Sequence, residues 1–406
     1  MPAQLPCPGP ARLRQLLDGA LAEPEQTQLV RHLDTCAGCQ QTLEGMAANA
    51  ASWSEAARLL TPDGAADPAI TAEVPRSVAR TVDANGETIS LTFLAPPREA
   101  GHLGRLGHYE VLGVVGSGGM GVVLKAFDEA LHRVVAIKVM APQLAVVASA
   151  RKRFSREARA AAAVTHEHVV TIHAVEEAND PPYLVMQYVA GVSLQERLDR
   201  TGPLQVKEIL RIGMQAAQGL AAAHAQGLVH RDVKPANILL ENGVERVKLT
   251  DFGLARMADD ASVSQSGVIA GTPLYMAPEQ ARGEELDARA DLFSLGSVLY
   301  AMCTGHPPFR AGSPLAVLRR VCEDTPRPVR EVNPDIPDWL AEIVATLHEK
   351  DPARRFQSAA EVADLLGRHL AHLQQPAAVP APARLRPSRP SGRRVALGLV
   401  GIFLGL

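Results

Sequence analysis

The sequence predicts an α+β protein of two lobes, because a strand-rich region is followed by a helix-rich one. Valine-rich, strand-like segments surround a glycine turn at 109–140, and two more follow at 169–177 and 182–189. Beyond residue 194 the spacing of apolar residues is helical, and it predicts helices over 205–226, 286–304, 314–323, 337–348 and 358–373. Strands followed by helices in this way are typical of the α+β class.

Length and composition set outer limits on the function. The chain has 406 residues and a formal net charge of −3, so it is long enough for two or three domains, and its charge predicts no nucleic-acid partner. It has five cysteines and no secretory leader pattern at its start, which together indicate reduced thiols. We interpret Cys303 and Cys322 as isolated core residues.

A glycine turn between two strands is the first candidate binding feature. The pattern G-x-G-x-x-G is formed by Gly116, Ser117, Gly118, Gly119, Met120 and Gly121. Dinucleotide folds share this spacing, but there it opens a helix, whereas here the strand-like VVLKAF follows. Such a turn lets backbone N–H groups approach ATP phosphates closely. Taken alone, an ordinary glycine-rich hairpin explains the pattern equally well.

A lysine on the next strand favours the phosphate interpretation. Lys138 closes VAIK on a strand that we expect to be buried, where a charged group needs a partner. The predicted partner is Glu157 in the helical run RFSREARAAA, although this residue could also lie on a solvated helix face. Glu167 is a poorer candidate because it lies beyond that helix.

Three further motifs follow in order along the chain. They are HRDVKPAN at 230–237, DFG at 251–253 and APE at 277–279. Together with the glycine turn and Lys138, they resemble the motifs of eukaryotic-type protein kinases, in the bacterial membrane-tethered Ser/Thr branch. The resemblance covers about 109–373 and implies a bilobal protein kinase fold, with a β-rich N-lobe and a helical C-lobe.

The resemblance implies catalytic roles for residues of these motifs. Asp251 would chelate Mg²⁺ (or Mn²⁺) on the phosphates of ATP, Asn237 would hold a second ion, and Asp232 would accept or orient the proton of the attacking hydroxyl. Lys234 is typical of the Ser/Thr type, and Thr272 in GTPLYMAPE resembles the threonine that shapes the seat of the substrate hydroxyl. We therefore expect protein substrates with Ser or Thr acceptors.

The resemblance also implies residues that surround the nucleotide. Besides the glycine turn, Lys138 and Glu157, the ATP site would include Val123, Ala136, Met186 and Tyr188, with Met186 as gatekeeper.

Supporting roles follow from the same resemblance. His230 would be a packed scaffold residue, and Arg231 would meet a phosphorylated activation segment. Asp291 would tie down the catalytic loop, and Arg354 or Arg355 would pair with Glu279.

The activation segment, 251–279, holds candidate phosphorylation sites. Ser264 and Ser266 lie where bacterial relatives are commonly autophosphorylated, and Thr272 is a third candidate. A homodimer is the expected arrangement for phosphorylation of one chain by another. The alternative is a flexible polar loop that is not modified.

A metal-type cluster precedes the kinase-like region. Cys7, His32, Cys36 and Cys39 offer four ligands for tetrahedral Zn²⁺, within a small helical domain at 1–60. The alternative is a surface histidine and idle thiols. This segment also resembles a zinc-finger family related to zinc-binding anti-sigma domains, which implies a sigma-like partner. Zinc would then be required for so small a domain to fold.

The remaining segments are predicted to be two linkers and a membrane anchor. Residues 61–108, rich in Pro, Ala and Gly, predict a flexible linker, and 374–394 a Pro/Arg-rich juxtamembrane linker. We expect 395–406 to be the start of a truncated transmembrane helix, because twelve apolar residues span about 18 Å of a ~30 Å hydrocarbon core. The arginines would keep the kinase domain cytoplasmic, tethered to the inner membrane. The alternative is docking on an anionic membrane surface.

These observations converge on a Ser/Thr protein kinase that uses Mg-ATP and carries a zinc module. Two alternatives remain from the sequence. One is an anti-sigma-like regulatory protein whose zinc module captures a transcription factor. The other is a catalytically silent scaffold, which the presence of Lys138, Asp232, Asn237 and Asp251 disfavours.

Overall fold

A computed structural model describes most of the region with kinase-like motifs. The described residues are 7–9, 32, 36, 80–82, 88–241, 246–252 and 273–383. The chain divides into two compact units, Met1–Arg76 and Ser77–Leu406. Among the described residues, no helix has the length and apolar character needed to span a bilayer.

The first lobe of the second unit is built on an antiparallel sheet. Its elements are β1 (Arg80–Val82), β2 (Thr88–Ser90), β3 (Gly104–Leu106), β4 (Tyr109–Gly118), β5 (Gly121–Asp128), β6 (Arg133–Met140), α1 (Pro142–Ala145), α2 (Ala148–Ala162), β7 (Ile172–Glu176) and β8 (Tyr183–Gln187). The six-stranded sheet has the order β3-β4-β5-β6-β8-β7, while β1 and β2 form a separate hairpin.

The burial of the strands follows from what covers each face. Alternate residues of β5 are buried, as expected for a strand with one covered face. Strand β6 is buried almost throughout, because Ile137 packs into the apolar cluster on one face while Ala136 and Met140 pack with Phe154 of α2 on the other. Lys138 therefore lies on a strand that is covered on both sides, as the sequence predicts.

The predicted flexible linker at 61–108 is wrong over its second part. Residues 88–108 pack on the first lobe, with Leu91 only 1% exposed and Leu106 only 7% exposed. Both lie in the same apolar cluster as Val111 of β4, and β3 pairs antiparallel with β4. The Pro- and Gly-rich composition conceals a few large apolar side chains, which gain enough by burial to order the segment.

The second lobe is mainly helical. Its elements are β9 (Gly191–Ser193), α3 (Leu194–Thr201), α4 (Val206–Ala225), β10 (Ile238–Glu241), β11 (Arg246–Leu249), α5 (Pro278–Ala281), α6 (Ala288–Thr304), α7 (Pro314–Glu323), α8 (Val329–Val332), α9 (Asp338–Leu347) and α10 (Ala359–Gln374). The five helices predicted from apolar spacing correspond to α4, α6, α7, α9 and α10, with each boundary within two residues.

The centre of this lobe is α6, which is mainly apolar and is buried on all sides from Ala290 to Thr304. Its N-cap is Asp287, and Gly305 ends it in a left-handed conformation with φ of +79°. A small sheet of order β11-β10-β9 lies in the same lobe, and the HRDVKPAN loop connects α4 to β10. The helical core therefore fixes both ends of this loop.

Replacement of Leu91 tests whether 88–108 belongs to the folded first lobe. We expect Leu91→Ala to lower the free energy of unfolding by about 2–5 kcal/mol, because it leaves a cavity in a buried cluster. Hydrogen exchange of β3 and β4 together with thermal denaturation of the full chain measures the effect. The matched control is Leu131→Ala, at a side chain 62% exposed, where a change within about 0.5 kcal/mol is expected. Equal effects of the two substitutions would contradict the packing of the segment.

Candidate active site

The glycine turn joins β4 to β5 as a tight hairpin. Gly118 pairs with Gly121, so Gly119 and Met120 form the two-residue turn. At Gly121 φ is +139°, and a Cβ atom there would lie 1.9 Å from the carbonyl oxygen of Val139, so no other residue fits. A Cβ on Gly116, Gly118 or Gly119 would meet nothing within 4 Å. The backbone of the turn thus borders open space, as contact with phosphates requires.

Lys138 pairs with the aspartate of the DFG motif. Its Nζ lies 2.8 Å from Oδ1 of Asp251, and the side chains are 8% and 28% exposed. This corrects the predicted ion pair with Glu157. The physical reason is the backbone at Asp251, where the left-handed φ of +63° after β11 lets the carboxylate reach Lys138. Glu157 is itself buried on α2.

The electrostatics of this pair keep Asp251 ionised. Burial raises the pKa of its carboxyl, but the charge and hydrogen bond of Lys138, with smaller contributions from His230 and Lys234, outweigh burial. The pKa of Asp251 consequently lies below its ordinary value. Asp251 is therefore available as an anionic oxygen ligand.

The catalytic loop brings Asp232, Lys234 and Asn237 together. The Nδ2 group of Asn237 donates to the carbonyl oxygen of Asp232 at 2.8 Å and to its Oδ2 at 2.9 Å. The Nζ of Lys234 lies 2.8 Å from the same Oδ2. A one-turn 3₁₀ helix, Pro235–Asn237, sets this geometry immediately before β10. The side chains of Asn237 and Lys234 thus hold the Asp232 carboxylate in one orientation.

Oxygen donors at this site fit a divalent cation. The amide nitrogen of Asn237 is occupied by Asp232, which leaves the amide oxygen as an acceptor. Asp251 offers an ionised carboxylate, and Mg²⁺ prefers such hard oxygen ligands. These two residues are those that the resemblance implies as metal ligands.

The buried carboxylate of Asp291 anchors the catalytic loop. Asp291, 1% exposed, accepts hydrogen bonds from the backbone N–H groups of His230 and Arg231, both at 2.8 Å. Its Oδ2 also lies 2.8 Å from Nε2 of His224 on α4. The predicted contact of Asp291 forms, whereas the role of His224 was not predicted from the sequence. Its place in the last turn of α4, one residue before the helix ends at Ala225, was the available signal.

His230 is a packed scaffold residue, as predicted. The residue is fully buried, its Nε2 lies 3.0 Å from the carbonyl oxygen of Thr250, and its ring lies 4.3 Å from that of Phe252. These contacts connect the catalytic loop to the start of the DFG motif. Gly253 lies outside the described residues.

The APE motif is anchored by a buried ion pair. The guanidinium of Arg355 donates to both carboxylate oxygens of Glu279, at 2.6 and 2.8 Å, and the Arg355 side chain is fully buried. The structure thus resolves the sequence ambiguity between two arginines, since Arg354 pairs with Glu349 at 3.1 Å. The bidentate geometry explains why the buried pair tolerates its loss of hydration.

An apolar cluster lies where the adenine is expected. The implied residues Val123, Ala136, Met186 and Tyr188 all belong to one cluster between β6 and α2, and Ala136 is paired with Met186 across β6 and β8. Leu239 of β10 packs on the same cluster and was missed in the sequence. Its position two residues after Asn237 was the available signal.

The first unit brings three of the four predicted zinc ligands together. The ligand atoms of Cys7, His32 and Cys36 all lie within 4.8 Å of one another, and the two sulfurs are 3.7 Å apart. Tetrahedral Zn–S bonds of about 2.3 Å imply a sulfur–sulfur separation of about 3.8 Å. The three side chains therefore fit a zinc ion, while Cys39 lies outside the described residues.

Several other predicted positions also fall outside the described residues. These are the phosphorylation candidates Ser264, Ser266 and Thr272 and the C-terminal segments from 384 onward.

Comparison with known proteins assigns the family. A family model described as "Protein kinase domain" matches residues 109–365, more than half of the chain. The chain therefore belongs to the protein kinase domain family, which confirms the resemblance and the fold. A second model, described as "Putative zinc-finger", matches residues 11–40. This span contains His32, Cys36 and Cys39, whereas Cys7 precedes it.

Similar proteins include bacterial Ser/Thr kinases. The chain is 42% identical over 268 residues to the serine/threonine-protein kinase PknB of Mycolicibacterium smegmatis, a match covering 64% of this chain and 43% of that protein. It is 39% identical over 255 residues to a probable serine/threonine-protein kinase of Clostridium perfringens, covering 63% of this chain and 37% of that protein. The chain thus spans about two-fifths of the length of these curated relatives.

A solved structure agrees with the same fold. The crystal structure of the Mycobacterium tuberculosis PknI kinase domain matches with a TM-score of 0.53 at 30% identity, covering 65% of this chain and 96% of that one.

Loss of Arg355 tests the anchor of the APE motif. We expect Arg355→Ala to destabilise the second lobe by about 3–5 kcal/mol, because it leaves the Glu279 carboxylate buried without its cation. Thermal and chemical denaturation of the full chain measure the loss. Arg354→Ala, which removes a partly exposed pair, is the matched control and should cost about 1 kcal/mol or less. Similar losses for both variants would be inconsistent with the assigned anchor.

Proposed function

We propose that the chain is a Ser/Thr protein kinase of bacterial signal transduction, which transfers the γ-phosphoryl group of Mg-ATP to Ser or Thr hydroxyls of proteins. One observation carries this proposal. Asp232 is held by Asn237 and Lys234 in the catalytic loop, and the same fold places Asp251 beside Lys138. Phosphoryl transfer needs positioning and charge neutralisation, which these groups supply.

The arrangement of Asp232 suggests which atom receives the proton. Both Asn237 and Lys234 contact its Oδ2, so Oδ1 has no hydrogen-bond donor among the described residues. This oxygen would accept or orient the proton of the substrate hydroxyl while the hydroxyl oxygen bonds to the γ-phosphorus and ADP leaves. Lys138 would orient phosphate oxygens, and Asp251 and Asn237 would hold Mg²⁺, which neutralises phosphate charge when bound.

Lys234 favours Ser and Thr as acceptors. Its ammonium group lies against the Asp232 carboxylate, in the position where the Ser/Thr type carries lysine. The names of the bacterial relatives support the same substrate class.

Replacement of Asp232 tests the activity. We expect Asp232→Asn to lower phosphotransfer by about 10²–10⁴-fold, because the amide cannot accept the hydroxyl proton. Radiolabel transfer from ATP to the chain and to a mixed Ser/Thr protein substrate measures the rate, and titration with a non-hydrolysable ATP analogue checks that the nucleotide still binds. The control Asp364→Asn makes the same chemical change at an exposed position on α10. Turnover near that of the wild type in Asp232→Asn would contradict the proposal.

Autophosphorylation of the activation segment forms part of the proposal. Arg231 carries a buried Nε atom that has no hydrogen-bond partner in the described ranges. A phosphorylated Ser264, Ser266 or Thr272 is the type of anion that such a guanidinium binds. Mapping of phosphosites in the active chain tests the assignment. Label appearing on an inactive chain mixed with an active one would indicate transfer between two chains, which a homodimer would allow.

For the first unit we propose a structural zinc ion held by Cys7, His32, Cys36 and Cys39. The 3.7 Å separation of two sulfurs and the approach of the histidine support it. Small domains in general bury too little apolar surface to be stable by that alone, and metal binding would therefore contribute to the folding of this unit.

Replacement of Cys36 tests the zinc site. We expect Cys36→Ser to lower the zinc content of the purified full chain from about one ion per chain to none, because three ligands hold zinc weakly when a closed structural site needs four. The melting transition of the kinase domain should not move. Metal analysis and calorimetry measure both quantities, and Cys322→Ser in the second lobe is the matched control. Unchanged zinc content in Cys36→Ser would rule out the predicted ligand set.

Two finer proposals concern partners. The Arg-rich stretch and the apolar residues from 395 onward support a tether to the inner membrane that leaves the kinase domain cytoplasmic. Co-sedimentation of the full chain with anionic vesicles tests this proposal.

The zinc module would contact a sigma-like protein, and co-purification of such a protein with the zinc-loaded chain tests this second proposal. The alternative in which such capture is the main function is not favoured, since the kinase match covers most of the chain.

A further inference from the structure

A side chain from outside the catalytic loop binds the carbonyl group that immediately precedes Asp232. This carbonyl belongs to Arg231, and the Nε2 group of Gln280 donates to its oxygen at 3.0 Å. The two residues are 49 positions apart in the chain, so the tertiary fold alone brings them together.

The backbone of Arg231 has a conformation that needs such support. Its φ is +66°, in the left-handed region that a non-glycine residue adopts only at a cost. Its N–H group donates to Oδ1 of Asp291 at 2.8 Å, and its carbonyl oxygen accepts from Gln280. Side chains of two different helices, α6 and α5, therefore hold both backbone polar groups of this one residue.

The carbonyl group of Arg231 affects the position of Asp232 through the planarity of the peptide bond. The carbon and oxygen of residue 231 lie in one plane with the nitrogen and Cα of residue 232. The contacts of Asp232 itself are made within the loop, where its N–H lies 3.4 Å from Nδ1 of His230 and Asn237 donates to its carbonyl oxygen and to its Oδ2. Gln280 therefore fixes, from outside the loop, the plane from which the Asp232 side chain starts.

The helix that carries Gln280 is itself anchored. The adjacent Glu279 accepts two hydrogen bonds from Arg355, and Ala277 and Pro278 before it are buried. The Gln280 side chain is only partly exposed. A donor on so firmly held a helix keeps its direction, as a group that orients a catalytic residue must.

We propose that Gln280 is a positioning residue for phosphoryl transfer, which orients the peptide plane before Asp232 and thereby directs the carboxylate towards the acceptor hydroxyl. The inference rests on the proposed kinase activity. Because Gln280 acts through the backbone of Arg231, its loss should reduce turnover rather than nucleotide affinity. A side chain that only stabilised α5 would instead leave the turnover of the folded enzyme unchanged.

Replacement by methionine removes the donor and keeps a side chain of similar length. We expect Gln280→Met to lower kcat for radiolabel transfer by about 10–100-fold, because a small misplacement of a catalytic group is costly in rate. The KM for ATP should stay within about twofold, since the lost interaction orients the base and does not bind the nucleotide. Gln280→Glu, which keeps the size but turns the donor into an ionised acceptor, should lower kcat at least as far. The control Gln374→Met, at the exposed last residue of α10, should change neither quantity.

A double-mutant cycle separates positioning from stability. In the Asp232→Asn background, where the carboxylate is already absent, Gln280→Met should lower kcat by less than about threefold. A structural role would give the same fold loss in both backgrounds, because it does not depend on the carboxylate. Thermal denaturation of each variant measures stability separately.

Hydrogen exchange of the full chain tests the contact without reference to activity. In Gln280→Met, a peptide that covers the catalytic loop should exchange about two- to tenfold faster, as expected for the loss of one hydrogen bond. Peptides that cover α6 should be unchanged. Absence of transfer by the wild-type chain would contradict the proposed function, whereas the exchange result would still decide whether Gln280 orders the loop.

Several results would overturn the inference. They are a kcat near that of the wild type in Gln280→Met and Gln280→Glu, equal losses from Gln280→Met in the wild-type and Asp232→Asn backgrounds, a rise in the KM for ATP that accounts for the whole loss of kcat/KM, and unchanged exchange of the catalytic loop.

Discussion

The carboxylate of Asp291 accepts the backbone N–H groups of His230 and Arg231 and contacts the imidazole of His224. It lies in the first turn of α6, the most deeply buried helix of the second lobe. The catalytic loop is thus attached directly to the helical core. Because the left-handed backbone at Arg231, with φ of +66°, is held by this contact, the positions of Asp232 and Asn237 depend on it.

Two buried cations, one in each described lobe, are neutralised by carboxylates. Lys138 meets Asp251, and Arg355 meets Glu279 with two hydrogen bonds. The first pair lies where the nucleotide is expected, so its groups are those that ligands would engage. The second is fully enclosed and fixes the chain at the end of the activation segment. One buried ion pair therefore lies at the expected nucleotide site, whereas the other stabilises the fold.

The helices and the motif residues were accessible from the sequence because they depend on local patterns. Apolar spacing located α4, α6, α7, α9 and α10 within two residues. The packing of 88–108 was not accessible, since a few apolar residues among prolines and glycines do not reveal which surface will cover them. His224 and Leu239 were missed for a related reason, because each becomes functional only through a neighbour distant in the chain.

By itself, the sequence determined the protein kinase family, the order of its motifs and the residues that carry the chemistry, because glycines, lysine and carboxylates at fixed spacings are chemical requirements of the site. The tertiary structure alone decided which groups pair. It selected Asp251 rather than Glu157 for Lys138, and Arg355 rather than its neighbour for Glu279. Spacing specifies the element on which a residue lies, whereas an ion pair forms only between groups that the packing of those elements brings within a few ångströms.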